Sequence, residues 1–445
     1  MKRREFISLS AGTLCCGPVT LALAQSAGHP GPYYLLVEAR GGWDPTSFCD
    51  PKGQGNGPNG DINNYDPADI GQAGNIRYAP PPDSFLLGGA NFINGLYSPG
   101  DFFQSHFQRL TVINGINHGT NSHTVGRTAS WTGTRSLNYP SVGPLIASQL
   151  APDVPLPFVA STSSESARTL GVVPGTVLSS GNINAIKEIA LPNRLNVNNP
   201  AEYHTAGTAS LIDTATAARR QRQLSGQRLL RLQDALSKLD TARGVDAATL
   251  SGFVDNLDNV SQPNAYVDGR NGNAERLFDQ AQVAFAAFEA GTAAAAQLEV
   301  GGFDTHDDHD ARHYPRLVDY LAGVDNIITD AMARGIGDNL VIIMGSDFGR
   351  TNKYNNDNGK DHWSHTSMMV WAGPNFFTGN RVVGATDSNQ VSEELDPATL
   401  TPQAGGVVLT PEYVHQALRS LAGIDQNAQV VTQFPFGENV LPIFT

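Results

Sequence analysis

The sequence predicts an α/β protein with three layers, in which helices cover both faces of a mostly parallel β-sheet. Three short segments predict strands of this sheet, at 34–39, 297–300 and 341–346. The last segment begins with a β-branched apolar run, which is typical of a parallel strand buried on both faces. With 46 glycines and 27 prolines the chain is also rich in loops. Such loops are expected of an enzyme that builds its site from strand-to-helix connections.

An aspartate follows each of these three segments. Asp44 and Asp304 each come after a Gly-Gly-aromatic triplet, and Asp347 comes directly after the third segment. Open α/β sheets bind their ligands beyond the carboxyl ends of the strands, so these acids predict a metal site at one edge of the sheet. Each acid also has a structural interpretation, because Asp44 and Asp304 could cap helices and Asp347 could be a turn residue.

We interpret residues 31–445 of the 445-residue chain as a single domain. A strand is predicted at 110–113. Residues 213–240 and 272–297 are rich in alanine, leucine, glutamine and arginine at helical spacing. They predict a helical insertion, which we place at 200–297.

The C-terminal part of the chain returns to the strand and helix pattern of the domain. A helix over 317–333 leads into the third strand, and residues 366–373 predict a late strand. The last predicted helix runs to Leu421, with Thr410 as its cap and Pro411 at its first position.

The first residues have the pattern of a targeting signal. Lys2-Arg3-Arg4 begins a twin-arginine pattern, and Ala22-Leu23-Ala24 places small residues where a signal peptidase cleaves. We therefore predict a twin-arginine signal peptide over 1–24, export by the twin-arginine machinery, and a periplasmic or extracellular protein. Gly12 and Pro18 interrupt the apolar stretch, so a stable membrane span is not expected, although an N-terminal anchor is the alternative.

Charge argues against nucleic acid as a partner. The formal net charge is -13, only 16% of residues are charged, and no basic stripe is present. Nucleic-acid-binding proteins need such a basic surface, and an acidic protein is repelled by anionic membranes. The chemistry therefore has to come from the strand-end acids and the residues near them.

Histidines cluster near the predicted strand ends and add imidazole to the candidate ligands. Two follow the strand predicted at 110–113, three follow Asp304 and two precede the late strand. They are His118, His123, His306, His309, His313, His362 and His365. Zinc and manganese accept both imidazole and carboxylate ligands, whereas magnesium and calcium prefer oxygen. We therefore expect one or two catalytic divalent metal ions, of an identity that these residues do not decide.

Four short blocks resemble a known protein family. They are Gly42-Trp43-Asp44, Phe303-Asp304-Thr305-His306, Ser346-Asp347-Phe348-Gly349-Arg350 and Gly359-Lys360-Asp361-His362. Their order is similar to that in the twin-arginine-exported bacterial family called domain of unknown function 1501, within the alkaline phosphatase and sulfatase-like superfamily. The resemblance spans most of the chain from about Tyr33. It implies an alkaline phosphatase-like fold.

The resemblance also implies metal ligands. Asp44 resembles the first-strand acid on one metal, and Asp304 and His306 resemble the pair on the other, with His309 as a competing ligand. Phe348 stands where the superfamily usually has a histidine, so His123 or Asp361 would have to replace it. The complete implied set is Asp44, Asp304, His306, His309, Asp347, Asp361, His362 and His123.

For the chemistry, the resemblance implies hydrolysis of a phosphate or sulfate ester, with a small anionic ester as substrate. Ser122 or Thr124 occupies the place of the superfamily nucleophile, at a helix N-terminus after an early strand. A helix N-terminus and a metal would both stabilise the alkoxide and the incoming anion. Arg350 could neutralise the transferred group or form a salt bridge with a nearby acid.

Two other functions stay open from the sequence. The same fold could serve as a non-catalytic binding or surface-assembly protein, which would need no nucleophile. The run His309-Asp310-Ala311-Arg312-His313 resembles the helical zinc-peptidase motif with aspartate in place of glutamate. Asp347-Phe348-Gly349 copies a kinase tripeptide, but the other kinase motifs are absent.

Overall fold

A computed structural model describes residues 28–55, 60–82, 97–154, 156–162, 165–173, 191, 193–196, 199–243, 252–253, 255–256 and 272–445. The predicted signal peptide over 1–24 lies outside the described residues. Within the described part of the chain, no helix is both long and apolar enough to cross a membrane.

Seven strands form one central sheet, and eight short strands form two-stranded pairs around it. In chain order the strands are β1 Tyr33–Arg40, β2 Gly71–Ala73, β3 Ile76–Tyr78, β4 Leu110–Asn117, β5 Phe158–Ala160, β6 Arg194–Asn196, β7 Asn199–Glu202, β8 Ala295–Gly301, β9 Leu340–Ser346, β10 Gly349–Arg350, β11 His362–Trp363, β12 His365–Ala372, β13 Arg381–Val383, β14 Glu394–Leu395 and β15 Val407–Val408. The order in the central sheet is β13-β4-β12-β9-β1-β8-β5.

The central sheet is mostly parallel, which confirms the predicted fold class. β1 pairs in parallel with both β8 and β9, β5 pairs in parallel with β8, and β13 does so with β4. Only β12 runs antiparallel to its neighbours β4 and β9. The carboxyl ends of β1, β4, β8 and β9 therefore meet at one edge, where β12 begins.

Helices cover both faces of this sheet, as predicted. In chain order the helices are α1 Pro99–His106, α2 His123–Thr132, α3 Val142–Leu150, α4 Ala206–Gly226, α5 Leu230–Arg243, α6 Gly272–Glu289, α7 His309–Ala333, α8 Pro411–Leu421 and α9 Ala428–Gln433. One apolar core contains Leu35 and Val37 of β1 with residues of α1, α6 and α7. The other contains Tyr34 and Leu36 with residues of α2, α3 and α8. The alternation along β1 follows from the two-residue period of a strand.

The region predicted as a helical insertion contains two different kinds of helix. No residue of α4 is buried, and Leu211 and Leu230 expose 72% and 80% of their surface. The later helix α6 instead packs into the core, where Leu277 and Phe285 are fully buried. The exposed helices thus stand apart from the sheet, whereas α6 helps to form one of its covering layers.

Candidate metal centre

The sheet edge predicted to hold the site gathers side chains from several connections. The connection after β4 leads into α2, whose first residue is His123. The connection after β8 contains Asp304 and His306. Asp347 directly follows β9, and His362 lies in β11, just before β12. Because these chain ends share one edge, residues that are far apart in the sequence come into contact.

Three imidazoles converge on Asp304. The Nε2 atoms of His306 and His362 lie 3.0 and 3.1 Å from its Oδ1, and 3.0 Å from each other. The Nε2 of His123 lies 3.3 Å from its Oδ2. Within the described residues, His123, Asp304 and His362 form a group whose ligand atoms all lie within 4.8 Å of one another, and His306 contacts two of its members, Asp304 and His362.

The other ring nitrogen, Nδ1, of each of the three histidines also lies close to an oxygen acceptor. Nδ1 of His362 lies 2.7 Å from the Asn121 carbonyl oxygen, which can only accept a hydrogen bond. Nδ1 of His306 and of His123 lie 2.8 and 2.7 Å from the carboxylates of Asp361 and Asp347. Both nitrogens of each ring therefore face an acceptor, and a neutral imidazole has only one N–H to donate.

The resulting cluster is chemically incomplete without a cation. The Nε2 atoms of His306 and His362 lie against the Asp304 carboxylate and against each other, and the buried Nε2 of His123 makes no hydrogen bond. A tetrahedral zinc ion with ligands at about 2.0–2.1 Å would separate those ligands by about 3.3 Å. The separations of 3.0–3.3 Å between Asp304 and the three Nε2 atoms are close to that value. Imidazoles that donate their other N–H to carboxylates or carbonyls are typical metal ligands. The residues therefore fit a single divalent ion.

The protonation states also suit a metal centre. Burial raises the pKa of Asp304, but hydrogen bonds from Arg350 and His362 and the charge of Arg350 outweigh it and bring that pKa to about 2. Burial lowers the pKa of His362, against the raising effects of the Asn121 carbonyl and Asp304. At neutral pH the carboxylate is therefore ionised and the His362 imidazole is neutral.

Asp347 supports the cluster from beneath. Its carboxylate is fully buried, accepts from His123 and accepts the Gly41 backbone N–H at 3.1 Å. Gly126 of α2 lets this helix approach, because a Cβ there would collide with the Asp347 backbone oxygen. Arg127, on the same helix, brings its Nε within 3.9 Å of the carboxylate. Asp347 thus orients a ligand and is placed outside the ligand cluster.

Phe348 takes part in the packing of the cluster. Its ring is buried and lies 4.8 Å from the His123 ring and 4.5 Å from the His362 ring, measured between centroids. The histidine that the superfamily pattern leads one to expect at this position is absent, but His123 brings an imidazole to the cluster from α2. Asp361 contacts the cluster through His306.

Arg350 is held by protein groups on every side. It donates to the carbonyl oxygens of Gly41, Gly42 and Lys360, and its Nη2 lies 2.7 Å from Asp304 Oδ1. Its side chain is fully buried. Of the two roles considered from the sequence, the structure contains the salt bridge, which fixes the orientation of Asp304.

Asp44 lies in a second, fully buried cluster. The Lys360 ammonium is 2.6 Å from its Oδ2 and 2.7 Å from the Asn63 amide oxygen. Burial raises the pKa of Asp44, but the lysine charge and His309 outweigh it and hold the pKa well below its usual value. The structure therefore does not bring Asp44 together with the imidazoles around Asp304.

His309 and His313 belong to this buried cluster, not to the metal centre. His309 Nε2 lies 3.2 Å from Asp44 Oδ2, and His313 Nε2 accepts the Asp44 backbone N–H at 3.0 Å. Both Nδ1 atoms face the Thr305 hydroxyl. With both rings buried and turned toward protein groups, the structure gives no support to the peptidase interpretation of this helix.

The two candidate nucleophiles lie on either side of His123. Ser122 is the N-cap of α2 and Thr124 is in its first turn, and both are exposed. The Ser122 hydroxyl makes no capping hydrogen bond, and the preceding Asn121 carbonyl anchors His362. Ser122 is thus tied through the backbone to two of the imidazoles.

A profile of one protein family matches the chain over residues 35–430, and its description is "Protein of unknown function (DUF1501)". The chain belongs to this family. The resemblance drawn from the four blocks is confirmed at the level of the family. A comparison with the curated proteins returned no match.

Several solved structures are distantly similar. The lipoteichoic acid synthase LtaP from Listeria monocytogenes is 10% identical, with a TM-score of 0.38 over 94% of this chain and 76% of its own. The alkaline phosphatase from the Antarctic bacterium TAB5 is 11% identical, with a TM-score of 0.31 over 78% of this chain and 92% of its own. A 2-O GAG sulfatase is 11% identical, with a TM-score of 0.33 over 90% of this chain and 72% of its own. Likenesses this weak assign neither an activity nor a ligand to this chain.

The role of Lys360 was not predicted, although the residue stands in one of the four blocks. Lys360 lies inside the block Gly359-Lys360-Asp361-His362, yet only contact with Asp44 reveals its role. Arg127 was also missed, and its position one turn into α2 after His123 was the available signal. A charged residue that lies close in sequence to a candidate ligand can therefore have a role in the same site.

Proposed function

We propose that this protein is an exported hydrolase that cleaves a phosphate or sulfate ester with the help of one divalent metal ion. The observation that carries the proposal is the convergence of three imidazole Nε2 atoms on Asp304, with each Nδ1 held by a carboxylate or carbonyl oxygen. Export rests on the pattern of residues 1–24.

A divalent ion held by His123, His306, His362 and Asp304 would bind an oxygen of the ester and lower the pKa of a nearby hydroxyl. The chain supplies the other groups. The Ser122 hydroxyl is free of the cap and sits at the start of α2, where backbone N–H groups favour an anion. We assign Ser122 as the nucleophile, with Thr124 as the alternative.

In the first step the Ser122 oxygen attacks the phosphorus or sulfur atom, and the bond to the alcohol breaks. The serine proton leaves with the alcohol, and a serine ester forms. In the second step water attacks that ester, which returns the hydroxyl and releases inorganic sulfate or phosphate from a monoester, or a phosphate monoester from a phosphodiester. Splitting the reaction in this way is the usual advantage of covalent catalysis.

The charge at the site favours a monoanionic ester. A divalent ion and the Asp304 carboxylate, the charged groups that would be in direct contact, sum to a single positive charge. The carboxylates of Asp347 and Asp361 lie behind His123 and His306 and add no positive charge. Arg350 is buried against Asp304 and carbonyl groups, and Lys360 is buried against Asp44, so neither offers its charge to a substrate. A sulfate monoester or a phosphodiester carries one negative charge, whereas a phosphate monoester carries about two at neutral pH. We therefore expect sulfate esters and phosphodiesters to be the better substrates.

The experiment measures bound metal and turnover on the mature protein purified from its export compartment. Plasma mass spectrometry counts the metal, and p-nitrophenyl sulfate, bis-p-nitrophenyl phosphate and p-nitrophenyl phosphate report turnover. We expect about one ion per chain. Asp304→Ala should lose both metal and activity, whereas Asp307→Ala should keep both, because Asp307 pairs with Arg312 at the surface.

Two results would end the proposal. Wild-type protein without metal would show that the imidazoles around Asp304 have a structural role. Protein with one ion but no turnover of any ester would favour a metal-containing binding protein. Among active proteins, Ser122→Ala and Thr124→Val identify the nucleophile, since only the true nucleophile is required for a burst of p-nitrophenol.

A further inference from the structure

The cluster around Asp44 is a cation site in which a protein side chain already provides the cation. The Lys360 Nζ lies 2.6 Å from Asp44 Oδ2 and 2.7 Å from Asn63 Oδ1. On its remaining side it faces the Tyr354 ring, 5.2 Å from the centroid. Neither the Lys360 nor the Asp44 side chain is exposed to solvent. Carboxylate, amide oxygen and aromatic face are all groups that attract a positive charge.

The same cluster contains donors that a divalent ion uses. Besides the oxygens of Asp44 and Asn63, the buried Nε2 of His309 lies 3.2 Å from Asp44 Oδ2 and makes no hydrogen bond. Carboxylate oxygen, amide oxygen and imidazole nitrogen together suit manganese or zinc. The ammonium therefore contacts two members of a potential ligand set, and the third member lies against the same Asp44 oxygen.

We infer that the Lys360 ammonium substitutes for a divalent metal ion at Asp44 and thereby keeps metal ions out of this cluster. A buried carboxylate is strongly destabilised unless an opposite charge accompanies it. Either an ammonium or a metal ion satisfies that need, but the two cannot occupy the same position. The inference concerns a cluster other than the proposed catalytic one and does not depend on the proposed function.

Shortening Lys360 should convert this cluster into a metal site. Lys360→Ala removes the ammonium and leaves a polar space, lined by Asp44, Asn63 and His309, that is large enough for an ion and water. Lys360→Gln is the matched control, because its amide still fills most of the space and donates to Asp44. Lys360→Ala/Asp44→Asn removes the essential carboxylate.

The measurement is the manganese content of each full-length mature protein after dialysis against MnCl2, determined by plasma mass spectrometry. We expect one additional ion in Lys360→Ala relative to wild type, and none in Lys360→Gln or Lys360→Ala/Asp44→Asn. Lys360→Ala should also gain thermal stability on addition of MnCl2 by more than wild type does. If Lys360→Ala unfolds in chelator, MnCl2 should restore its fold.

The outcomes separate this inference from the proposed function. Equal manganese content in wild type and folded Lys360→Ala would overturn the inference, as would a Lys360→Ala protein that stays unfolded in MnCl2. No ion in wild type with one in Lys360→Ala would support the inference while contradicting the metal centre at Asp304.

Discussion

Asp44 and Asp304 follow the same kind of sequence and have opposite surroundings. Each comes after a Gly-Gly-aromatic triplet at the end of neighbouring parallel strands, β1 and β8, which pair up to Arg40 and Gly301. The Asp304 side chain is 45% exposed and faces three imidazoles, whereas that of Asp44 is fully buried against Lys360. The two acids thus acquire different partners from one local pattern.

The difference shows how solvent access decides the way a carboxylate is neutralised. The half-exposed Asp304 can be reached by an ion from solvent. A fully buried acid needs a partner that is present as soon as the chain folds, and Lys360 is covalently part of the chain. An acid at the end of a strand therefore does not by itself identify a metal ligand.

The largest expected effect in this comparison is on stability, at the buried acid. Lys360→Met keeps the volume but leaves the Asp44 carboxylate uncompensated, which should lower the free energy of unfolding by about 3–5 kcal/mol. Urea unfolding in the presence of a chelator measures it. Adding Asp44→Asn to the Lys360→Met variant should recover most of the lost free energy of unfolding. A Lys360→Met protein as stable as wild type would mean that the ion pair does not matter.

A smaller effect is expected at the outer partners of the imidazoles. Asp347→Asn weakens the hydrogen bond that orients His123 and should reduce metal affinity by about 10–100-fold. The comparison is Asp361→Asn, whose exposed pair with His306 should change affinity by less than about threefold. Competition with a chromogenic chelator gives both affinities. Equal losses in the two variants would show that burial of the outer partner has no influence.

The smallest effect concerns acid stability. Burial and the nearby charge of His309 hold the pKa of His313 well below its usual 6.5. Below pH 6.5 the unfolded chain therefore binds a proton that the folded one does not, and stability falls as the pH falls. His313→Gln should flatten this decline by up to about 1.4 kcal/mol per pH unit in metal-free protein.

Urea unfolding at several pH values below 6.5 measures this slope. His204→Gln serves as the control, because His204 is exposed and its replacement should leave the slope unchanged. A His313→Gln slope equal to that of wild type would show that another group governs acid stability. The lowered pKa of Asp44 affects stability only at still lower pH. There the unfolded chain protonates this carboxylate near its ordinary pKa of 3.8, while the folded protein keeps it ionised.

Much of the fold follows from local patterns in the sequence. The apolar runs at β1 and β9 and the Thr410-Pro411 start of α8 lie where they were predicted. The antiparallel direction of β12 could not be predicted, because strand direction depends on which neighbour a strand pairs with. The separation of α6 from the exposed helices was also hidden, since alanine-rich helical spacing looks alike in a core and on a surface.

For the site, the sequence alone showed which acids and histidines lie near the predicted strand ends. Asp304, His306 and His362 were therefore candidate ligands. The sequence did not determine which candidates meet. That was decided by the pairing of β1 with β8 and β9, the approach of α2 at Gly126, and the burial of Lys360 against Asp44. The physical reason is that ligand clusters need atoms within a few ångströms of one another, and contacts between residues hundreds of positions apart are fixed only by tertiary packing.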